Sequence, residues 1–262
     1  MNNSKKPPQD IKYKRAIYID KIWNLLFLVS IIIALIQNLY LRNNDVIFLE
    51  INAIILIVLF SLEYLREKNI YEGAILKRKN LFDTTFGLNR ICDKVDEFYD
   101  NEDIDDEMIK LFANNHESLL FTKVITSKML IYHYILIGFI VMLFVVSVFR
   151  SGLTETNFIT MGTMLSYFGI GRTLDIKSVN NLSNLLFDES SRIANDMDIG
   201  ISKTNFAEMI EVIINYEALL SSMNFVLSGY VYSKKGQSLT EKWLEIKKNY
   251  KVYNEGFYED ED

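Results

Sequence analysis

Cysteine, proline and histidine are scarce in this chain, and each shortage excludes a kind of site or structure. The single cysteine, Cys92, has no partner for an intrachain disulfide or for a cysteine-based zinc cluster. The two histidines, His116 and His133, are too few for a histidine-rich metal site. Both prolines, Pro7 and Pro8, lie at the N-terminal end, so no later helix is kinked by proline. We therefore expect no bound metal and no cofactor.

Sequence motifs typical of enzymes are also missing. The chain contains no P-loop, no H-E-x-x-H, no G-x-S-x-G and no C-x-x-C. Its net charge of −6 argues against binding DNA or RNA. The acidic stretch 93–107 lacks the glycine that turns an EF-hand loop. We interpret it as a solvated loop followed by a helix that begins near Asp105 or Asp106. The sequence predicts a protein that is not an enzyme.

Long apolar runs without charge are the strongest positive feature. No Asp, Glu, Lys or Arg occurs in 22–41 or in 129–149, and a helix needs about 20 such residues to cross a bilayer. A charge at mid-membrane costs about 2.5–3.5 kcal/mol, which is why spans exclude it. Two further runs, 46–62 and 156–171, follow closely and favour return crossings. The polar residues of 156–171 also suit a re-entrant or interfacial segment.

Basic residues predict that both termini and the middle segment are cytoplasmic. They cluster on the outer flanks of each pair of runs, whereas the two short connectors hold one arginine each. The first run exceeds the length of a signal-peptide core and no A-x-A-like cleavage site follows it, so we expect it to be retained. The predicted fold is an all-α membrane protein with four transmembrane helices in two hairpins and a helical cytoplasmic domain. The predicted divisions are a cytoplasmic N-terminal segment 1–21, hairpins 22–63 and 129–172, and cytoplasmic helical segments 64–128 and 173–262.

The two cytoplasmic segments carry sharper helix signals. Apolar residues recur at mostly helical spacing in 71–98, and the stretch 205–232 is long and apolar on more than one face, which predicts helices in both. Ser238 with Glu241 matches a capping box and predicts the start of a last helix. The uncharged stretch 218–233 favours a helix buried in the cytoplasmic bundle over a fifth membrane segment, because its serines, asparagine and glycine are costly in lipid.

Polar residues of the fourth run point to a pore lining. They step by four, three and four along the chain and so share one helix face: Thr156, Thr160, Thr163 and Tyr167. Beside them lies a strip of small residues suited to close helix packing: Gly162, Ser166 and Gly169. The alternative is that the threonines bond to their own backbone carbonyls and the glycines pack the four-helix unit. Glu50 near the outer mouth would favour cations in an oligomer.

The segment after the second run resembles a known family. It is similar to the corresponding segment of the four-transmembrane effectors of bacterial cyclic-oligonucleotide-based antiphage signalling systems (CBASS). The matching residues are Ala74, Phe82, Asp83, Thr84, Phe86, Leu88 and Asn89. Lys79 and Asn80 stand where the family usually has a Gln-Glu pair, and Arg90 stands where it usually has Trp. The hairpin layout, the chain length and the helical C-terminal half are similar too.

This resemblance implies a dormant protein of the bacterial inner membrane that responds to a cyclic oligonucleotide made by a partner enzyme. Activation would open a pore, depolarise the membrane and kill the infected cell. Since a four-helix unit is too small to enclose a wide channel, we expect a homo-oligomer. Asp83 would cap or tie helices. The cations expected to bind the nucleotide are Lys77, Arg78, Lys79, Arg90 and Arg192.

Two other functions compete with this expectation. One is a non-conducting membrane sensor or adaptor that recruits a cytoplasmic partner. The other is a small transporter or membrane enzyme, which the scarcity of charge within the apolar runs argues against.

Overall fold

The computed structural model describes residues 8–40, 45–88, 101, 103–151, 170–198 and 202–254, and these ranges are helical and contain no strand. Six α-helices follow one another: α1 Pro8–Tyr40, α2 Asp45–Thr85, α3 Glu107–Ser151, α4 Arg172–Met197, α5 Lys203–Ser222 and α6 Gly229–Lys248. A short 3₁₀ helix, Lys251–Tyr253, ends the described chain. The predicted all-α class is confirmed.

Two helices are long and apolar enough to cross a membrane. The qualifying stretches are Gln9–Ile33 in α1 and Glu107–Val146 in α3. The predicted runs 22–41 and 129–149 fall largely inside α1 and α3, and 46–62 forms the first half of α2. Most of the fourth run, 156–169, lies outside the described residues. The arrangement of four spans in two hairpins therefore stays a prediction.

α1 and α2 form an antiparallel hairpin. Their cross-helix bonds move in opposite directions along the two helices, from Ser30–Asn52 through Asp20–Arg66 to Lys12–Glu72. A small apolar core holds the upper part of the hairpin and includes one residue of α3: Trp23, Phe27, Ile31, Leu59 and Ile140. The hairpin predicted from the first two runs thus has the expected pairing.

The helices do not break where the predicted spans end. We use "membrane boundary" for the predicted cytoplasmic ends of the spans, at Ile22, Leu62, Met129 and Gly171. α2 continues through this level to Thr85 and α3 begins well before it, at Glu107. At 1.5 Å per residue, each helix extends roughly 30 Å below the boundary. The predicted divisions at 63/64 and 128/129 therefore fall within single continuous helices.

Below the boundary, five α-helices and the short 3₁₀ helix share one continuous hydrophobic core. It joins the end of α2 and the first half of α3 to α4, α5, α6 and the 3₁₀ helix. The predicted start of a helix near Asp106 is confirmed, because Asp106 Oδ1 accepts hydrogen bonds from the amides of Met108 and Ile109, at 2.9 and 2.8 Å.

Two expectations for the C-terminal segment are wrong. The stretch 205–232 is not one helix, since α5 ends at Ser222 and Phe225 inserts its ring into the core from a non-helical linker. The last helix begins at Gly229, capped by Ser228, whose hydroxyl accepts from the amide of Val231 at 3.3 Å. Ser238 lies inside that helix and donates to the carbonyl of Lys235 instead. A capping-box sequence also fits a helix interior when an earlier cap has already started the helix.

Candidate functional site

Four charged residues from three helices meet at the membrane boundary. Asp20 Oδ1 accepts hydrogen bonds from Arg66 Nη1 at 3.2 Å and from Arg172 Nη2 at 2.7 Å. Arg66 Nη2 also donates to Glu63 Oε1 at 2.9 Å. We call Asp20, Glu63, Arg66 and Arg172 the boundary cluster. Its two positive and two negative charges balance.

Trp23 is stacked between the two arginines of the boundary cluster and the small core above. The guanidinium carbons of Arg172 and Arg66 lie 5.3 and 5.7 Å from the centre of its ring. Trp23 also stacks on Phe27, with ring centroids 5.3 Å apart. The cation–π contacts add about 0.5–2 kcal/mol each to the ion pairs, more when the cation is desolvated. The cluster is thus tied to the apolar hairpin as well as to itself.

Arg66 is buried at the centre of the boundary cluster, whereas Asp20, Glu63 and Arg172 are partly exposed. Arg66 is 1% exposed, and Glu63 Oε2, Arg66 Nε and Arg172 Nε are buried without a hydrogen-bond partner in the part of the chain that the structure describes. Removing one partner of a buried ion pair typically costs about 3–5 kcal/mol, because the other charge is left buried. Two alternative states, paired and separated, would therefore differ strongly in energy.

The position of the cluster gives it a mechanical role. Asp20 precedes the first predicted span, Arg66 follows the second, and Arg172 is the first residue of α4. His133, at the start of the third, is close enough to interact electrostatically with Arg172 and Asp20. The cluster therefore fastens α1, α2 and the start of α4 to one another at this level. It offers no metal site, since no group of three His, Cys, Asp or Glu side chains among the described residues could hold an ion.

A second polar centre lies deep in the helical bundle below the boundary. His116 is fully buried, and its ring nitrogens are hydrogen-bonded to Tyr253 Oη and Ser191 Oγ, both at 3.1 Å. Aromatic rings surround it, with Phe187 at 4.7 Å and Trp243 at 5.3 Å between centroids. Burial, and secondarily the charge of Lys123, lowers the pKa of His116 to about 3. His116 is therefore a neutral hydrogen-bonding centre that ties the 3₁₀ helix to α3 and α4.

A buried asparagine fastens α6 beside this centre. Asn101 Nδ2 donates to Asn114 Oδ1 and to Glu117 Oε2, both at 2.9 Å, and its Oδ1 accepts from Trp243 Nε1 at 3.1 Å. Lys247 forms an ion pair with Asp103 at the rim. These bonds join the chain before α3 to α6, so the bundle is closed by specific polar contacts as well as by apolar packing.

The cations predicted to bind a nucleotide are dispersed. Arg78 Nε donates to Glu217 Oε2 at 2.6 Å, and Arg192 donates to Asp196 at 2.8 Å and to Glu208 at 2.9 Å. Glu208 and Glu217 are nine residues apart on α5, or roughly 13 Å along its axis, so the structure does not bring Arg78 and Arg192 together.

The other predicted ligand residues lie near Arg78 or outside the described chain. The Lys77 ammonium lies 6.0 Å from the centre of the Tyr216 ring. Lys79 is exposed on α2, and Arg90 is not among the described residues. A nucleotide phosphate at Arg78 would have to compete with the carboxylate of Glu217. These assignments stay predictions.

Most predicted pore and packing residues fall outside the described chain. These are Thr156, Thr160, Gly162, Thr163, Ser166, Tyr167 and Gly169. Glu50 is exposed in the second turn of α2, and Asp83 is completely buried in its last turn. Burial of Asp83 is what a helix-packing role requires, but neither role is tested.

A shallow groove of about 480 Å³ opens on the part of the α1–α2 hairpin below the boundary. It is lined by Ile11, Lys14, Arg15, Tyr18, Ile19 and Asn69. Two cations beside an exposed phenol ring suit a phosphate attached to an apolar or aromatic group. From the sequence alone, Lys14 and Arg15 indicate only the orientation of the first predicted span.

The boundary cluster was missed by sequence reasoning although a signal for it exists. Asp20 is an acid in a flank otherwise rich in lysine and arginine, and Arg66 lies at the matching level of the returning helix. Opposite charges at matching levels of a predicted hairpin indicate a cross-helix pair. The sequence gives no comparable signal for Arg172. It is far from Asp20 in the chain, and no hairpin between the two helices shows which of their residues lie side by side.

Comparison with protein-family models, with curated proteins and with solved structures finds no match to this chain. The function of this chain is therefore inferred from the boundary cluster, the helical bundle and the short resemblance in the segment after the second run.

Proposed function

We propose that this protein is a multi-pass membrane effector whose cytoplasmic helical bundle receives a signal and transmits it to the membrane-spanning helices. The most specific form of the proposal is a homo-oligomeric pore of the bacterial inner membrane. A cyclic oligonucleotide would open it, and depolarisation would end a phage infection by killing the cell.

The apolar surface of the upper helices carries this proposal. Large apolar side chains cover several faces of the predicted spans and are exposed, among them Leu25, Ile36, Ile54, Ile57, Ile135, Phe139, Val146 and Phe149. Soluble monomers rarely expose contiguous apolar patches beyond a few hundred Å². On α3 the exposed large apolar side chains between Ile131 and Phe149 together occupy more than half of the helix circumference, and Ile140 lies on the buried side. A surface of this kind is stable in lipid or against further copies of the chain.

Continuous helices and the boundary cluster supply a route for the signal. α2 and α3 run unbroken from the bundle core into the predicted spans, so a shift of the bundle moves the spans directly. The boundary cluster would keep the resting state closed by holding α1, α2 and α4 together through Asp20. A signal can pass from the bundle to the spans if rigid helices such as α2 and α3 adopt two discrete arrangements and the signal favours one of them.

The nature of the signal depends on the resemblance to CBASS effectors. It is supported by seven matching residues between Ala74 and Asn89, in the part of α2 that enters the cytoplasmic core and the residues after it. A bundle with a receptor role on the cytoplasmic side agrees with a messenger made inside the cell.

Membrane potential in living bacteria tests the pore. The chain is expressed with a cyclic-oligonucleotide synthase under separate control, and a potential-sensitive dye is read before and after the synthase is induced. We expect rapid loss of potential only when both proteins are present. A catalytically inactive synthase is the control. An unchanged potential after messenger accumulation, with the effector present in the membrane fraction, would contradict pore formation.

A non-conducting sensor or adaptor is the second candidate, and one observation favours it. Leu185 on α4 and Ile214 on α5 are about 60% exposed on the cytoplasmic bundle, away from the predicted spans. Exposed apolar side chains of this size suit a protein partner. In that case, crosslinking in cells would capture a cytoplasmic protein through Leu185 or Ile214, and the potential would not change.

A further inference from the structure

The linker between α5 and α6 is fastened at the level of the membrane boundary. Asn224 Nδ2 donates a 2.7 Å hydrogen bond to Asp175 Oδ2. Asp175 lies in the first turn of α4, three residues beyond Arg172 of the boundary cluster. The neighbouring Phe225 is buried in the core, which fixes the direction of the linker. Residues 223–228 therefore run near the predicted lipid surface.

The first turn of α6 packs along α3 towards the same level. Val231 is buried against the core, and the ring of Tyr232 lies 6.0 Å from that of Phe121. The hydroxyl of Ser228 caps this turn. Since Val231 points inward, the side chains of Tyr230 and Lys234 remain on the exposed side.

A lysine and two tyrosines face outward at this point. The ammonium of Lys234 lies 4.7 Å from the centre of the Tyr230 ring. A hydrogen bond with Tyr230 raises the pKa of Lys234, and the phenol of Tyr132 adds a smaller electrostatic contribution. The phenol of Tyr132, which is exposed on α3 one turn inside the predicted third span, is within electrostatic range of Lys234. The adjacent Lys235 is exposed as well.

We propose that the first turn of α6 rests on the inner leaflet, where Tyr132, Tyr230, Lys234 and Lys235 bind the headgroup of an anionic phospholipid. Tyrosine rings are enriched at membrane interfaces because one end is apolar and the other hydrogen-bonds to water or headgroups. Lysines near an anionic surface each contribute favourably to binding. The inference rests on the proposed membrane location and assigns the first turn of α6, at the end of the uncharged stretch 218–233, to an interfacial position instead of a fifth span.

Depth-dependent quenching tests this contact. Cys92, the only cysteine, is replaced by serine, and a single cysteine is introduced by Gly229→Cys, where an added Cβ meets no atom within 4 Å. The cysteine is labelled with an environment-sensitive fluorophore, and the full chain is reconstituted in nanodiscs of phosphatidylcholine and phosphatidylglycerol. Lipids brominated close to the headgroup or deep in the acyl chain serve as quenchers.

Two control positions make the outcomes distinguishable. Phe139→Cys reports on the middle of the third predicted span, and Lys248→Cys reports on the far end of α6. We expect shallow quenching at 229, deep quenching at 139 and none at 248. Quenching at 139 with none at 229 overturns the interfacial contact alone. No quenching at any position overturns the membrane location as well.

The lysines are tested by the phosphatidylglycerol that remains bound in detergent, measured by native mass spectrometry. Lys234→Gln/Lys235→Gln should weaken retention by about fivefold per lysine, whereas the matched pair Lys242→Gln/Lys248→Gln on the same helix should not. Equal retention in both variants overturns headgroup binding by Lys234 and Lys235. Complete displacement of the lipid by inorganic phosphate would overturn headgroup binding in favour of a soluble anion. If position 229 is not quenched by lipid and the cysteines at 229 of two copies crosslink to each other, the surface instead binds a second copy of the chain.

Discussion

Arg172 Nη2 donates a 2.7 Å hydrogen bond to Oδ1 of Asp20, which joins residues 152 positions apart in the chain. The same oxygen accepts from Arg66, so one carboxylate holds the middle of α2 and the start of α4. Asp20 is therefore the one acceptor in the boundary cluster that links α1, α2 and α4. Loss of its charge would leave two buried guanidinium groups without their shared partner.

Asp20→Asn should destabilise the folded protein by about 2–3 kcal/mol. Removal of one partner from a buried pair costs about 3–5 kcal/mol, and Asp20 is 22% exposed, which reduces the penalty. Thermal unfolding of the detergent-solubilised protein measures the loss. If the cluster also holds the resting state closed, cells expressing the variant should depolarise without a synthase.

Asp10→Asn is the matched control on the same helix. Its partner Lys14 is 3.4 Å away and the pair is exposed, so the expected loss is below about 1 kcal/mol. Equal unfolding temperatures for the two variants would show that the boundary cluster contributes no more than a surface pair.

His116 predicts a loss of stability in acid. Burial lowers its pKa in the folded state to about 3, below the ordinary value of about 6.5 expected in the unfolded chain. The unfolded state therefore binds the proton more readily between these values. The contribution of His116 is complete above about pH 6.5 and declines by up to about 1.4 kcal/mol per pH unit as the pH falls towards 3.

His116→Gln separates this contribution from other titrations. Glutamine keeps hydrogen-bonding groups for Tyr253 and Ser191 but does not titrate in this range. The variant should be less stable than the wild type at pH 7.5. The difference between their unfolding midpoints should be smaller at pH 5.5 and smaller again at pH 4.5. A gap that stays constant with pH would contradict the buried neutral imidazole.

Trp243→Phe tests the bond that closes α6 on the bundle. The substitution keeps an aromatic ring but leaves Oδ1 of the buried Asn101 without its donor, at a cost of about 1–3 kcal/mol. Leu244→Ala, at an exposed neighbouring position, should change stability much less. Similar losses for the two variants in chemical denaturation would argue that the Asn101 hydrogen bond is unimportant.

Arg78 is expected to act as a tie between α2 and α5. Its guanidinium contacts the Glu217 carboxylate, the Glu217 carbonyl and the Ser221 hydroxyl. Arg78→Gln and Glu217→Gln should lower the unfolding temperature by similar amounts, and the double variant should lower it little further. Arg192→Gln, at an exposed pair, is the control with little effect.

Glu217→Gln also distinguishes a tie from a ligand site. Removing the carboxylate frees Arg78 without removing it, so cyclic-oligonucleotide affinity would rise if Arg78 bound the phosphate. Unchanged affinity, measured by calorimetry on the solubilised protein, is the result that a purely structural tie predicts.

The parts of the fold that could be predicted from the sequence are those set by local patterns of apolar and capping residues. The helices that contain the charge-free runs 22–41 and 129–149 and the cap of α3 at Asp106 follow from local sequence, because apolar patterning and N-capping act over short stretches of chain. The break at 223–228 could not be anticipated in the same way. It depends on burial of Phe225 among distant helices, a tertiary effect that helical spacing alone does not contain.

The candidate site was less accessible to sequence reasoning than the fold. Arg78 was predicted to bind the nucleotide because it lies around the segment that resembles the CBASS effectors, and Arg192 was added from a separate set of cations. Each has an acidic partner on α5, at a different end of that helix. The ion pairs of Asp20 with Arg66 and Arg172 depend on the register of packed helices. Charge patterns identify the residues available for pairing, but packing decides which of them meet.

Partition of the chain between membrane and water tests the central claim most directly. Bacterial membranes carrying the protein are washed with alkaline carbonate, which releases peripheral proteins, and then treated with detergent. We predict that the protein stays in the carbonate pellet and is released only by detergent, as expected if the exposed apolar faces of α1, α2 and α3 lie in lipid. Release of folded protein by carbonate alone would contradict the account.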